Sequence, residues 1–205
     1  MKTKLKISII AMCLLTLMAC NAHTKSNQTD IVGLNLTSKV KPNDNSPEIK
    51  VALLLDTSNS MDGLIDQAKA QLWQIVNELS YAKCEQKNPN LKIALYEYGN
   101  DNLNADEGFL RQVTAFSDDL DEISKSLFSL TTNGGNEYCG KVIKTAIEQL
   151  NWGDNKKDLK LVFIAGNEPF TQEQVHYKTA TKLAHSYDIS VNTIFCGDYD
   201  QGVSG

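Results

Sequence analysis

Short apolar runs alternate with amphipathic stretches over residues 50–196, and this alternation limits the possible folds more than any other feature of the sequence. Apolar runs of six to eight residues are typical of strands that are buried on both faces of a sheet. Between them, large apolar residues recur at helical spacing. The alternation predicts a doubly wound α/β fold, in which a mostly parallel sheet carries helices on both faces.

The predicted elements are five strands and four helices. The third strand carries Arg111, Gln112 and Thr114, so we expect it at the edge of the sheet. The fold class expected includes one antiparallel edge strand. The predicted strands are Lys50–Leu55, Leu91–Tyr98, Phe109–Phe116, Leu159–Ala165 and Ile189–Cys196. The predicted helices cover residues 64–79, 120–130, 138–150 and 171–187, with Asp118 or Asp119 as the cap of the second.

The carboxyl ends of the strands indicate where a ligand would bind. In open α/β sheets, ligands bind in the crevice outside these ends. The segments that follow Leu55, Tyr98, Ala165 and Cys196 are therefore the candidate binding loops, together with the loop before the helix at 138–150.

The N-terminus has the pattern of an export signal. Three lysines within residues 1–6 precede an uncharged apolar run at residues 7–19. This run is shorter than the roughly 20 residues of a membrane-spanning helix and matches a secretory signal peptide. It ends in Leu17-Met18-Ala19-Cys20, which resembles the lipobox of bacterial lipoproteins. We expect residues 1–19 to be removed and Cys20 to carry lipid; an uncleaved anchor and a plain signal peptide are the alternatives.

Residues 20–48 are expected to form a tether between this lipid and the domain. Asn, Ser, Thr, Asp and Lys dominate the segment, and large apolar residues are few. As a random coil it would reach about 30 Å. Ile31, Val32, Leu34 and Leu36 could instead form a short strand against the domain. The prediction is a domain at residues 49–205, lipid-anchored in the bacterial cell envelope and facing the periplasm or the cell surface.

The most informative polar cluster follows the first predicted strand directly. Asp56, Ser58 and Ser60 place one carboxylate and two hydroxyls on alternate residues of a single turn. Hard oxygen ligands of this kind suit Mg²⁺, with Mn²⁺ and Ca²⁺ as alternatives. The two serines could instead only cap the next helix, but this interpretation gives Asp56 no role.

The D-x-S-x-S sequence at residues 56–60 resembles the metal-ion-dependent adhesion site of von Willebrand factor type A (VWA) domains. The resemblance covers residues 49 to about 197 and includes the segments 131–137 and 163–170. It implies a Rossmann-like VWA fold and a metal-dependent protein-binding module. In such modules, an acidic side chain of the partner completes the coordination of the exposed metal.

Two departures from the family pattern change the expected ligands. Glu137 aligns where the family has Thr or Asp, and Gly166-Asn167 replaces an Asp-Gly pair, with Glu168 next in sequence. The loss of one carboxylate predicts weaker metal binding than at a complete site. The residues expected around the cation are Asp56, Ser58, Ser60, Glu137, Asn167 and Glu168.

The chain is also short for this family. A typical member adds another helix and often a sixth strand, whereas eight residues follow Gly197 here. Either this branch of the family is shorter or the sequence is a fragment.

Three cysteines remain after removal of the signal peptide and lipidation of Cys20. Cys139 opens a helix and Cys196 ends a strand, both at the carboxyl-end face of the predicted sheet, whereas Cys84 is expected at the opposite end. Since an exported protein is in an oxidising compartment, we expect a Cys139–Cys196 disulfide and a free Cys84. Three unpaired thiols are the alternative.

Charge and motifs narrow the functional classes. The net charge is −5 and no basic run follows the N-terminus, which argues against nucleic acid as a partner. A phosphatase-like hydrolase with Asp56 as nucleophile needs an acid two residues later, where this chain has Ser58. We therefore predict a binding module and no enzyme. The alternatives are this Mg²⁺-dependent hydrolase and a metal-free interaction scaffold.

Overall fold

The computed structural model of the chain describes residues 47–82, 89–172 and 174–197. All of them belong to the compact unit Lys41–Gly205. The strands are β1 (Glu48–Asp56), β2 (Asn90–Tyr98), β3 (Leu110–Ser117), β4 (Leu159–Gly166) and β5 (Ile189–Phe195). The helices are α1 (Ile65–Ser80), α2 (Leu120–Ser129), α3 (Cys139–Gln149) and α4 (Tyr177–Ser186). Short 3-10 turns lie at Asn59–Met61 and Ala105–Glu107.

The five strands form one sheet in the order β3-β2-β1-β4-β5. β1 is central and pairs in parallel with β2 and β4, and β5 continues in parallel on the far side of β4. β3 lies at the edge, as predicted from its polar residues, and pairs antiparallel with β2. The predicted mostly parallel sheet with one antiparallel edge strand is confirmed.

Alternating side chains of β1 supply two hydrophobic cores, one on each face of the sheet. Leu53 and Leu55 belong to the core that includes residues of α1 and α2, whereas Ala52 and Leu54 belong to the core that includes residues of α3 and α4. All four are completely buried. This burial explains why the sequence of β1 is continuously apolar.

The helix predicted at residues 171–187 is shorter than expected. It begins at Tyr177, because the His176 ring nitrogen Nδ1 accepts a hydrogen bond from the Lys178 backbone N–H and so caps the helix there. The described residues ahead of it, 167–172 and 174–176, belong to the loop that follows β4, which thereby contributes Gln172 to the carboxyl end of the sheet.

Buried lysines occupy the opposite, amino-terminal end of the sheet. Lys50 forms an ion pair with Glu48 (2.9 Å) and donates to the Trp152 carbonyl (3.1 Å). Lys160, its neighbour in register on β4, donates to the Gly153 carbonyl (2.6 Å). These contacts tie the loop after α3 across the amino-terminal edge of the sheet.

The predicted signal peptide at 1–19 and almost all of the predicted tether at 20–48 lie outside the described residues. Pro47 and Glu48, the last two tether residues, are described, and β1 begins at Glu48. Among the described residues, no helix is long and apolar enough to cross a membrane.

Candidate metal centre

Asp56 is the last residue of β1, and its carboxylate is completely buried. Its Oδ1 accepts a hydrogen bond from the backbone N–H of Ser58 (2.8 Å), which closes the turn after the strand. Its Oδ2 has no hydrogen-bond partner. A buried charged oxygen without a partner is unfavourable, so this atom identifies a position where a cation would stabilise the fold.

The two serine hydroxyls lie beside each other in the same turn. Ser58 Oγ and Ser60 Oγ share a hydrogen bond of 2.8 Å. Ser58 precedes a 3-10 turn, but its side chain makes no capping hydrogen bond, and α1 begins only at Ile65. Helix capping therefore does not account for the hydroxyls, and the sequence alternative that gave them only this role is wrong.

Asn167, from the loop after β4, closes the exposed side of this turn. Ser60 Oγ donates to Asn167 Oδ1 (2.9 Å), and Asn167 Nδ2 donates to the Ser60 carbonyl (3.0 Å). The amide thus occupies a place next to the hydroxyls without adding a negative charge. The structure brings Ser58, Ser60 and Asn167 together, as the sequence predicted.

Glu137 approaches Asp56 from the loop before α3. A Cβ atom built on Gly99 would lie 2.8 Å from Asp56 Oδ1, 3.2 Å from Glu137 Cγ and 3.3 Å from Ser58 Cβ. All three side chains therefore surround Gly99, whose φ of +81° also favours glycine. Glu137 is 4% exposed, so its carboxylate is enclosed with that of Asp56.

Gln172 holds Glu137 at two points. Gln172 Oε1 accepts a hydrogen bond from the Glu137 backbone N–H (3.1 Å), and Gln172 Nε2 donates to Glu137 Oε2. The loop after β4 thus fixes both the backbone and the side chain of the loop before α3. Sequence reasoning missed Gln172, because it placed this residue in a helix.

Thr57 anchors the turn to the neighbouring loops. Its backbone N–H donates to the Tyr98 carbonyl (2.9 Å), and its carbonyl accepts from the Asn133 N–H (2.9 Å). Its hydroxyl donates to the Tyr98 carbonyl (3.2 Å). The turn is therefore held by the ends of β1 and β2 and by the loop that leads to Glu137.

The pKa of Asp56 is raised from its ordinary value of 3.8 to about 7, chiefly by burial and also by the charges of Glu137 and Glu168, whereas hydrogen bonds from Ser58 oppose the rise. Burial also raises the pKa of Glu137, to which Glu168 contributes and which the contacts with Gln172 and Ser58 oppose. Glu168 is thus close enough to act electrostatically. The carboxylates disfavour one another's charge, an arrangement that a divalent cation would reverse.

The oxygens at this end of the sheet suit a hard divalent cation. They comprise carboxylate, hydroxyl and amide groups. Within residues 47–82, 89–172 and 174–197, no group of three His, Cys, Asp or Glu side chains is arranged to hold a metal ion. A cation here would therefore rely on the hydroxyls as well as on Asp56 and Glu137.

The predicted Cys139–Cys196 disulfide is wrong, because both cysteines are free. Cys139 belongs to the core on the α3 and α4 side, whereas Cys196 packs against the core on the α1 and α2 side. The sequence placed both residues at the correct end of the sheet but could not tell which face each side chain occupies. Cys84 lies outside the described residues.

The profile of the von Willebrand factor type A domain family matches residues 50–202. A comparison with curated proteins gives no match. Among solved structures, the VWA domain of SpRpn10 is similar, with 13% identity and a TM-score of 0.57 over 76% of this chain and 79% of that chain.

Two other similar structures are parts of longer chains. Proximal thread matrix protein 1 from the mussel byssus, with a zinc-occupied MIDAS motif, has 15% identity and a TM-score of 0.56 over 73% of this chain and 38% of that chain. The pilus adhesin SpaC from Lactobacillus rhamnosus GG, in an open conformation, has 13% identity and a TM-score of 0.53 over 73% and 24%. At these identities the likeness establishes the fold.

Proposed function

Because the chain belongs to the von Willebrand factor type A domain family, we propose that it is a protein-binding module that holds its partner through a divalent cation. Asp56 and Glu137 would supply the charged oxygens, and Ser58 and Ser60 the neutral ones. Mg²⁺ is the first candidate, with Mn²⁺ and Ca²⁺ as alternatives, since all three prefer oxygen ligands.

The observation that carries this proposal is the unpartnered Oδ2 of Asp56. The carboxylate that carries this atom is buried, and the side chains of Glu137, itself enclosed, and Ser58 lie with it around Gly99. Without a cation this arrangement does not stabilise the fold, because burial and mutual repulsion both disfavour the charged forms of the Asp56 and Glu137 carboxylates. The arrangement has a physical reason if the site exists to bind a cation.

The exposed side of the site indicates how a partner would be recognised. Ser60 and the neighbouring Asn167 border the site where it meets solvent, while Asp56 and Ser58 lie beneath. The cation supplies a positive charge that an acidic side chain of the partner can approach. This side chain would complete the coordination and would also offset the low affinity expected from the absence of a side chain at Gly166.

Ser58, two positions after Asp56 in the sequence, favours binding over catalysis. A nucleophilic Asp56 would need a proton donor there, and Ser58 instead donates its backbone N–H to Asp56 Oδ1 and shares a hydroxyl hydrogen bond with Ser60. The similar byssus and pilus proteins are described as a matrix protein and an adhesin. Both descriptions agree with an interaction role.

We further propose that the module is lipid-anchored in the bacterial cell envelope through Cys20. The support is the basic segment, the short apolar run and the lipobox of residues 1–20. The variant Cys20→Ser should move the protein from the membrane fraction to the soluble fraction, whereas Cys84→Ser should not. Unchanged membrane attachment of the Cys20 variant would contradict the proposal.

The function can be tested by metal-dependent capture of a partner. The protein is immobilised and exposed to envelope extract in Mg²⁺ or in EDTA, in parallel with the Asp56→Ala variant. A specific partner should be retained by the wild type in Mg²⁺ and lost both in EDTA and with the variant. Equal retention in all three cases would show that binding uses other loops and needs no cation.

A further inference from the structure

Gly166, the last residue of β4, borders the same small space as the unpartnered oxygen of Asp56. A Cβ atom built on Gly166 would lie 2.7 Å from the Tyr98 hydroxyl oxygen and 3.0 Å from Asp56 Oδ2. Its φ is not positive, so the backbone would allow a side chain. What excludes a side chain at this position is the occupied space, and the nearest atom in it belongs to Tyr98.

Tyr98 cannot easily move out of this space. It ends β2 opposite Asp56 in the register with β1, and its side chain is 1% exposed within the core of the α3 and α4 face. Its hydroxyl donates to the Ala165 carbonyl over a long 3.4 Å and lies 3.8 Å from Cys139 Sγ. The ring is therefore fixed by packing, while the hydroxyl proton has only a weak acceptor.

We infer that Tyr98 is a positioning residue of the cation site, whose hydroxyl occupies the space that glycine at position 166 leaves open beside Asp56 Oδ2. This inference rests on the proposed cation-binding function. Because a phenol is neutral, it fills the space that borders Asp56 without adding a third enclosed negative charge. Gly166 and Tyr98 are thus complementary in size, since the hydroxyl of one occupies the space that the other leaves open.

The spatial part of the inference is tested without metal by a double-mutant cycle on thermal unfolding in EDTA. Gly166→Ala should lower the Tm by roughly 5 °C, because the added Cβ overlaps the hydroxyl. In the Y98F background the same change should lower the Tm by much less. Gly135→Ala, where a Cβ meets no atom within 4 Å, should have little effect. Tyr96→Phe, which removes a buried-ring hydroxyl bonded to Gln149, should not relieve Gly166→Ala.

The chemical part is tested by Mn²⁺ titration calorimetry at a temperature where every variant is folded. Tyr98→Phe should weaken Mn²⁺ binding by about tenfold, in the range expected for loss of a group that orients a metal ligand. Tyr96→Phe should leave the affinity unchanged. A purely structural role of Tyr98 would alter the Tm and not the affinity of the folded protein.

Additive effects of Gly166→Ala and Tyr98→Phe on the Tm would overturn the spatial pairing. Equal Mn²⁺ affinity of Tyr98→Phe and wild type would overturn the role of the hydroxyl at the cation. An absence of Mn²⁺ binding by the wild type itself would instead contradict the proposed function, and the role of Tyr98 at the cation would fall with it. The unfolding cycle would still decide whether the hydroxyl excludes a side chain at position 166.

Discussion

At the scale of single residues, the chain encloses two carboxylates, Asp56 and Glu137, where the charged form of each is unfavourable without a cation. Asp56, Ser58 and Ser60 could be predicted from the sequence, because their spacing within one turn is local information. Glu137 and Asn167 came from the resemblance to a family. Gln172 and Tyr98 could not be found in this way, since their roles depend on how loops and strands meet in space.

The first prediction concerns the pH dependence of metal-free stability. The folded pKa of Asp56, about 7, lies above its ordinary value of 3.8. Protonated Asp56 therefore contributes on the order of 4 kcal/mol to the free energy of unfolding below about pH 4, and this contribution is lost as the pH rises toward 7. Glu137, whose pKa is also raised, acts in the same direction. Urea unfolding in EDTA between pH 4 and 8 should show this loss.

The variant Asp56→Asn provides the comparison for this measurement. Its neutral amide should remove most of the pH-dependent loss, so that the variant is more stable than the wild type near pH 8. Mg²⁺ should reduce the loss in the wild type, because a bound cation favours the charged carboxylate. Identical pH profiles for variant and wild type would contradict the assigned burial and repulsion.

The second prediction concerns Gln172. Replacing it with alanine removes both hydrogen bonds to Glu137 and should weaken Mn²⁺ binding by about tenfold, as loss of a ligand-orienting partner typically does. Gln174→Ala is the matched control, since Gln174 lies in the same loop and its exposed side chain accepts a hydrogen bond from the Lys141 ammonium of α3 and is not hydrogen-bonded to Glu137. If both variants bind Mn²⁺ equally well in calorimetry, Gln172 does not position Glu137.

At the scale of elements, the predictions hold within strands and helices and fail at their ends. The five strands and the first three helices were predictable, because period and apolar content record which faces are buried. The predicted start of α4 was wrong, since His176 caps the helix inside the segment that was predicted to be helical. The predicted Cys139–Cys196 disulfide was wrong, because a position at the end of a strand or helix does not determine on which face of the sheet the side chain lies.

The third prediction concerns the close contact between α3 and the loop after β4. A Cβ on Gly140 would lie 1.9 Å from the Val175 carbonyl oxygen, an overlap that only movement of the backbone can relieve. Alanine in a helix normally gains about 1 kcal/mol over glycine. Here the overlap should outweigh this gain, so that Gly140→Ala loses about 1–3 kcal/mol in the free energy of urea unfolding. A more stable variant would show that the loop is not docked on α3.

At the scale of the whole molecule, the two ends of the sheet differ in how their polar groups are satisfied. At the amino-terminal end, Lys50 and Lys160 satisfy carbonyl and carboxylate groups and close the fold. At the carboxyl-terminal end, three loops bring oxygen atoms together and leave one of them unpartnered. This asymmetry is the general expectation for α/β sheets and supports placing the partner at the carboxyl-terminal end.

The most direct test of this account is Mn²⁺ titration calorimetry on the wild type, Asp56→Ala and the control Asp106→Ala, whose carboxylate is exposed in the loop after β2. The account predicts that the wild type and Asp106→Ala bind one Mn²⁺ with the same Kd, while Asp56→Ala binds at least tenfold more weakly. Equal affinity of Asp56→Ala and wild type, or no binding by the wild type, would contradict it.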